Sequence, residues 1–372
     1  MKKYCREPKY IHLLLKRADK TLRDRQKKTN GPQKSFLRSL SDSPRKEKLP
    51  SNVRKRRHKL QRILAEHQSA KIRYPHKAPE IFTLQTKEYA EQCCKMFDEL
   101  KDHLEHGFPV HLDFSEVRHL TGGPILYLLS IMDIWDQQSA CDIKGNTPAN
   151  PNLKHYFEQS GFYDHVSVSP LARTRASKED PHILRITNGH KASHSSPPIP
   201  KVLDFIAEQT GLPRRTGTKS LFTALAEIIG NVLDHAYAKQ GLPYSPTWWL
   251  MASTSLRGMH LVILDNGDTI PQTVNKRLTE KFKSIMNSNN SGFILSALNG
   301  KVPRSATKKS YRGQGLPIIK EMPQREPELF EKIIIVSGKE YVTLVPGKVP
   351  VTESLEHAFF GTLYSFDIRS SK

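Results

Sequence analysis

The chain has 372 residues, and 58 Lys and Arg against 37 Asp and Glu give it a formal net charge of +21. This length accommodates two domains and a tail. The four cysteines show no metal-ligand spacing, and they are too few for a disulfide scaffold. No apolar run approaches the ~18 residues of a membrane span, and none forms a signal peptide. A cytoplasmic protein without membrane contact is therefore expected.

Residues 1–79 form a basic N-terminal segment that is partly helical or disordered. The first 75 residues alone contribute +18 of the net charge, and they include the stretch Val53–Arg62. A helix is expected over Arg54–Ala65. A concentrated positive field attracts phosphate backbones and acidic surfaces, so we expect residues 1–75 to contact nucleic acid or an acidic protein. The alternative is an arm that only keeps the protein soluble.

Residues 80–168 alternate between strand and helix patterns. Val110–Ser115 is a strand pattern, Thr121–Trp135 is a turn followed by an apolar helix, Cys141–Asn146 is a second strand, and Asn152–Phe162 is a second helix. This order predicts a small α/β layer. It is followed by a linker over residues 169–199, rich in Ser, Pro and His, with one short strand at His182–Ile186.

The strand Leu112–Val117, the turn Thr121–Gly123 and the closing Ser160–Phe162 resemble a STAS domain, the fold of anti-sigma-factor antagonists. The resemblance implies a protein partner. It also implies a hydroxyl in the turn that a partner kinase phosphorylates, for which Thr121 is the nearest candidate. The alternative is that Thr121 only caps the helix that follows it.

The C-terminal part, residues 200–372, contains a predicted helix in which Glu227 and Asn231 are four residues apart. Side chains at this spacing lie one above the other on one helix face. An amide oxygen is a suitable ligand for Mg²⁺ that also holds phosphate oxygens, and a carboxylate one turn away can activate a water. An ordinary amphipathic helix is the alternative.

Two glycine patterns follow this helix. The strand His260–Leu264 ends at Asp265, which can accept a hydrogen bond from the exocyclic amine of adenine, and Gly267 lets a flat ring approach the backbone. The second pattern, Arg312–Pro317, precedes a helix, where backbone N–H groups bind phosphate. Either pattern alone is also typical of a turn or a loop.

Together these blocks resemble the N, G1 and G2 boxes of the GHKL ATPases, the superfamily of gyrase, heat-shock chaperones, histidine kinases and MutL. One departure is Thr269, which stands where the G1 box has a second glycine. The resemblance implies a Bergerat-type α/β sandwich with a mixed sheet, ATP and Mg²⁺ as cofactors, and Glu227 as the base that activates water. It implies Asn231 as the metal ligand. The cofactor-binding residues it implies are Asn231, Asp265, Gly267, Ile270, Lys308, Arg312, Gly313, Gly315, Leu316 and Thr362.

Residues 272–312 correspond to the ATP lid of this family, and their polar composition predicts a long mobile loop. Three functions stay open: an ATP hydrolase acting as a conformational switch, a Ser/Thr protein kinase of the anti-sigma type, and an ATP sensor without turnover. The presence of Glu227 favours turnover, and the basic arm favours the switch. A homo-oligomer is compatible with each of the three.

Overall fold

The computed structural model describes residues 73–105, 107–138, 143–166, 179–190, 199–212, 219–235, 247–255, 258–275, 292–300 and 315–370. The helix expected at Arg54–Ala65 lies outside these ranges. In chain order the elements are β1 (Tyr74–Lys77), β2 (Ile81–Phe82), α1 (Lys87–Glu105), β3 (Val110–Asp113), β4 (His119–Leu120), α2 (Gly122–Gln138), β5 (Ile143–Gly145), α3 (Pro151–Gln159), β6 (Ile183–His190), α4 (Ile199–Thr210), α5 (Lys219–His235), β7 (Thr247–Ser255), β8 (Gly258–Asp265), α6 (Ile270–Asn275), α7 (Phe293–Leu298), α8 (Gly315–Arg325), β9 (Phe330–Leu344) and β10 (Val351–Arg369).

The chain forms two compact units, both of α/β character. The smaller contains residues 1–78, 96–114 and 139–147. In it, β1, β3 and β5 form a parallel sheet in the order β1-β3-β5, with Val110 paired to Tyr74 on one side and to Ile143 on the other. The Asn146 side chain closes the end of β3, accepting from Phe114 N (2.7 Å) and donating to Asp113 Oδ1 (2.5 Å).

The larger unit contains residues 79–95, 115–138 and 148–372 and is built on a five-stranded sheet in the order β6-β7-β8-β10-β9. All five strands are antiparallel. The prediction of a mixed sheet in this part of the chain is therefore wrong for the described strands. Short connections explain two of the four strand pairs, because β7–β8 and β9–β10 are hairpins, and a hairpin imposes antiparallel pairing.

One face of this sheet carries the main hydrophobic core. Alternate residues of β8, including Leu261 and Ile263, pack with apolar residues of the helices, such as Leu225 of α5, Ile206 of α4 and Ile319 of α8. Successive side chains of a strand point to opposite faces, so Met251 and Leu363 lie on the other face of the sheet. There α2 packs closely, since a Cβ added to Gly122 would meet Met251 Sδ at 2.7 Å.

Most predicted strands and helices are present, but β9 differs from expectation. The composition of Ser337–Lys339 is typical of a hairpin turn between two strands, whereas β9 runs without interruption from Phe330 to Leu344. Gly338 has a φ of +62°, and the register with β10 shifts beside it. The glycine therefore makes a bulge that bends the strand instead of reversing it.

Residues of the predicted STAS-like segment divide between the two units. Its strands β3 and β5 are in the smaller unit together with β1, which precedes the predicted segment, whereas α2, with the turn that precedes it, belongs to the larger unit and packs on β7 and β8. Across the described residues, no helix combines the length and the apolar character that crossing a membrane demands.

Candidate functional site

Asp265 and Thr362 lie side by side at one end of the large sheet. Asp265 is the last residue of β8, and its direct partner on β10 is Thr362. Strand alternation puts Asp265 on the same face as Ile263 of β8, and Thr362 on the same face as Tyr364 of β10. Both residues therefore point to the face that carries the main hydrophobic core. The sheet register thus brings together two residues that are 97 positions apart in the sequence.

The Asp265 carboxylate is held at one oxygen. Its Oδ1 accepts a hydrogen bond from Gly267 N at 3.0 Å, and among the described residues this is its one hydrogen-bond donor. Burial raises the pKa of Asp265 from 3.8 to about 7, the bond from Gly267 opposes the rise, and the charge of Asp268 adds to it. Asp265 is partly exposed as a residue, and no donor among the described residues occupies the second oxygen of its carboxylate.

Ser337 connects the elements around Asp265 and Thr362, although no motif in the sequence marks it. Its hydroxyl accepts from Ile270 N (2.9 Å), donates to Gly361 O (2.9 Å) and lies 3.0 Å from Thr362 Oγ1. Because its one proton goes to Gly361, the Thr362 hydroxyl is the donor in their contact. Ser337 therefore fixes the orientation of Thr362 and the start of α6 together.

Gly361 allows the close approach of β10 to β8. Its φ is +83°, and a Cβ added there would lie 1.9 Å from Asp265 O. A side chain at Gly361 would therefore push β10 away from β8 next to the Asp265–Thr362 pair.

Asn266, the neighbour of Asp265, is also buried and ordered by hydrogen bonds. Its Oδ1 accepts from Thr247 N at 2.7 Å, and its own backbone N–H donates to Thr247 O at 3.2 Å. The Thr247 hydroxyl in turn donates to Asp133 Oδ2 of α2 at 3.0 Å. The loop after β8 is therefore tied to β7 and, through β7, to α2.

Thr269, which departs from the family pattern, has a structural task here. Its hydroxyl accepts from Gln272 N at 3.3 Å and its carbonyl from Thr273 N at 3.0 Å, so it caps α6. The next residue, Ile270, is the first of α6 and is buried in the main core. Where a second glycine would leave a flexible loop, this chain has a capped helix.

Glu227 and Asn231 both lie on α5, as predicted. The core-facing residues of α5 include Leu225 and Ile228, and Glu227 is at the partly buried flank of the helix, where burial raises its pKa. The description of side chains ends at Gly230, so the direction in which Asn231 points stays a prediction.

The second glycine pattern is only partly within the described ranges. Gly315 is the first residue of α8, in agreement with a glycine pattern that leads into a helix, and Leu316 is half-buried against the main core. Lys308, Arg312 and Gly313 lie outside the described residues, and their phosphate contacts stay predictions.

The segment predicted as a mobile lid contains two ordered pieces, α6 at its start and α7 within it. In α7, Ile294 and Leu298 are buried in the main core. The Glu340 carboxylate of β9 caps this helix with both oxygens, accepting from Phe293 N and Ile294 N at 2.8 Å each. The middle of the predicted loop is therefore anchored, because its apolar residues recur at helical spacing.

Thr121 precedes α2 and is half-buried. Its hydroxyl is 2.9 Å from Thr83 Oγ1. This contact holds the Thr121 hydroxyl in place, and its phosphorylation stays a prediction.

Comparison of the chain with family models, with curated proteins and with solved structures gives no match.

Proposed function

We propose that this protein binds Mg-ATP in the larger unit and acts as a nucleotide-driven conformational switch that hydrolyses ATP. The observation that carries the proposal is that Asp265 of β8 pairs in register with Thr362 of β10, on the face of the sheet that carries the main hydrophobic core. It supports the GHKL-type assignment because the G1 aspartate and the Gly-Thr of a later strand, far apart in sequence, meet at one place.

Adenine recognition is assigned to Asp265 and Thr362. The free oxygen of the Asp265 carboxylate accepts from the exocyclic amine, while Gly267 N keeps the other oxygen in place. Thr362, whose proton goes to Ser337, presents its oxygen lone pairs as acceptors toward the same ligand or a bridging water. This arrangement of acceptors favours a ring edge that presents an amino donor, as adenine does, over an edge that presents only carbonyl groups.

Phosphate and metal binding are assigned to residues of α5 and of the glycine pattern that leads into α8. Asn231 is proposed as the Mg²⁺ ligand, with Gly313, Gly315 and the cations Lys308 and Arg312 on the phosphates. Backbone N–H groups at the start of α8 suit this role, because the N-terminus of a helix attracts anions. When bound, the metal would neutralise part of the phosphate charge, and the amide oxygen of Asn231 would be its protein ligand beside the phosphate oxygens.

Turnover is assigned to Glu227. Its raised pKa makes the carboxylate a better proton acceptor than an ordinary exposed glutamate, and general-base catalysis contributes about 10²- to 10⁴-fold to a rate. Changing Glu227 to Gln is expected to keep ATP binding and to stop phosphate release.

The conformational part of the proposal is supported by the hydrogen bonds that connect the neighbours of Asp265 and Thr362 to other elements. Asp265 and its neighbours connect to α6 through Ser337 and to α2 through Asn266 and Thr247. Closure of the pocket on a nucleotide would act on these elements and so alter the surface offered to a nucleic acid or an acidic partner of the basic arm.

One titration tests the proposal. Binding of ATP, ADP and GTP is measured by calorimetry with and without Mg²⁺, and phosphate release is followed in parallel. We expect ATP binding in the parent protein and its loss in Asp265→Asn, since the amide oxygen would take the Gly267 bond and leave an NH₂ group facing the adenine amine. Asp204→Asn on α4 is the control and should bind ATP. Equal ATP affinity in parent and Asp265→Asn would overturn the assignment.

A further inference from the structure

We infer that Glu91, Glu356 and His357 form a binding site for a first-row divalent metal ion, for which Zn²⁺ is the expected occupant. Glu91 lies on α1 within the larger unit, and the other two residues lie on β10. One ligand atom from each residue can be chosen such that all three atoms lie within 4.8 Å of one another. None of these residues belongs to the proposed nucleotide site.

The state of the Glu91 carboxylate is the second observation. Its Oε1 accepts from Glu356 N at 2.8 Å and from His357 N at 3.1 Å. Its Oε2 is shielded from solvent, and no hydrogen-bond partner reaches it within the described part of the chain. A buried carboxylate oxygen without a donor is unfavourable, and a cation placed against it removes that penalty.

The backbone of β10 explains how two consecutive residues serve one site. In a regular strand Glu356 and His357 would point to opposite faces of the sheet. Pairing of β10 with β9 is interrupted between Ser354 and Phe359, where the register shifts. This irregularity releases Glu356 and His357 from strict alternation, and the two backbone bonds to Glu91 fix it in place.

The donor set selects the class of ion. An imidazole nitrogen with two carboxylate oxygens suits Zn²⁺ better than Ca²⁺ or Mg²⁺, which take oxygen ligands and more of them. Glu356 is exposed, so one side of the site is open to solvent and a water can complete four-fold coordination. A bound ion would join residues 265 positions apart and hold the β10 irregularity against α1.

The test counts zinc equivalents in the full-length chain after treatment with a chelator. Because the chain has 16 histidines, the informative quantity is the difference between variants. The site variant is E356Q/H357N, which keeps both backbone donors to Glu91. The matched control is Glu353→Gln, an acidic residue on the same strand that is not part of the group. Competition with a chromophoric zinc chelator gives the stoichiometry and the affinity.

We expect the parent and the Glu353→Gln control to bind one equivalent more than the double variant. Zinc should raise the thermal midpoint of these two proteins by several degrees more than that of the double variant, and cobalt should give a visible d–d band only in them. Should the double variant not fold, Glu356→Gln alone is used, with binding about tenfold or more weaker because one of three protein ligands is lost. Equal stoichiometry, affinity and thermal shift in all proteins would overturn the inference, whatever the outcome for ATP.

Discussion

At the residue scale, the Asp265 carboxyl gives the proposed adenine site a pH dependence. Its pKa of about 7 means that only about a tenth of the sites are ionised at pH 6 and about nine tenths at pH 8. The ionised form is the stronger acceptor for the adenine amine, because the protonated carboxyl has an O–H donor on one of its oxygens. We therefore expect ATP affinity to rise about tenfold from pH 6 to pH 8, as measured by calorimetry in buffers of matched ionic strength. An affinity that is flat or falls with pH would contradict this assignment.

The same carboxyl also predicts a stability change that is independent of ligand. Its pKa in the folded state, about 7, exceeds the ordinary 3.8, so the folded protein binds the proton more tightly and loses stability as pH rises through that window. Asp265→Asn removes this loss. Because each tenfold step is about 1.4 kcal/mol, the variant should be more stable at pH 8 by up to about 4 kcal/mol and nearly unchanged at pH 4.

Urea unfolding at pH 4, 6 and 8 measures this difference, and Asp204→Asn on α4 serves as the control. The gap between parent and Asp265→Asn should grow with pH up to about 7 and then stay level. A gap that is the same at all three pH values would mean that the amide acts through packing and not through ionisation. A gain in stability together with a loss of ATP binding is the pattern expected of a functional group held at an energetic cost.

Ser337 is predicted to orient the proposed site as well as to stabilise the fold. Ser337→Ala leaves Ile270 N and Gly361 O without their bonds to the hydroxyl, and each buried unpaired group costs about 1–3 kcal/mol. We expect a lower urea midpoint and weaker ATP binding, because Thr362 loses its acceptor. Ser354→Ala, an exposed serine on β10, is the control. Unchanged ATP affinity in a destabilised Ser337→Ala protein would limit Ser337 to a structural role.

Local sequence patterns identified Asp265 and Thr362 but could not identify Ser337. Asp265 ends an apolar strand two residues before Gly267, and Thr362 follows Gly361 within an apolar strand, and glycines at such positions allow a close approach to the backbone. Ser337 becomes important only through its partners at Ile270, Gly361 and Thr362, which lie 67, 24 and 25 residues away. Contacts of that kind depend on strand register, which a single sequence does not specify.

At the element scale, α7 is predicted to unfold locally, while the core strands of the larger unit stay folded. This helix lies in the segment between the two glycine patterns. Glu340 supplies the acceptors for the first N–H groups of α7, and a Cβ added to the adjacent Gly292 would lie 2.7 Å from Glu340 Oε2. Glu340→Gln replaces one acceptor oxygen by a donor, which leaves one of these N–H groups unpaired. Hydrogen exchange of residues 293–298 should then become faster while the core strands keep their protection.

Exchange measured by mass spectrometry distinguishes this local effect from global destabilisation. Glu331→Gln, on the same strand but exposed, should leave the α7 peptide unchanged. If exchange in Glu340→Gln accelerates equally in α7 and in β8, the carboxylate stabilises the whole unit and α7 does not unfold independently.

Periodicity predicted which segments are helices and strands more reliably than it predicted their neighbours. The apolar residues of α2 are buried on several sides, including Ile125, Leu126 and Leu129, so its pattern indicates a buried helix without indicating which sheet it covers. Its order in the chain suggested the N-terminal layer, whereas it packs on β7 and β8. The Ser-Gly-Lys of β9 has turn composition, yet the strands on both sides pair with one continuous partner, β10.

At the scale of the whole molecule, charge is distributed unevenly along the chain. Residues 1–75 hold +18 of the net +21, so the remaining residues, which contain the proposed ATP site, are close to neutral. A neutral folded part cannot attract a polyanion over a distance, whereas the N-terminal segment can. Any binding to nucleic acid should therefore be removable without loss of nucleotide binding.

Truncation of residues 1–70 tests this separation, and it ends before β1, which begins at Tyr74. The full chain should bind DNA or RNA with a dissociation constant of about 10⁻⁴ to 10⁻⁶ M at physiological salt, with affinity falling linearly on a logarithmic salt axis. The truncated chain should lose most of this binding and keep its ATP affinity. A weaker salt slope in a variant with Arg54, Lys55, Arg56, Arg57 and Lys59 replaced by Gln would identify these cations as the phosphate contacts. A salt-independent affinity would instead assign the arm to an acidic protein or to solubility, and nucleic-acid binding that survives truncation would move the contact to the folded part.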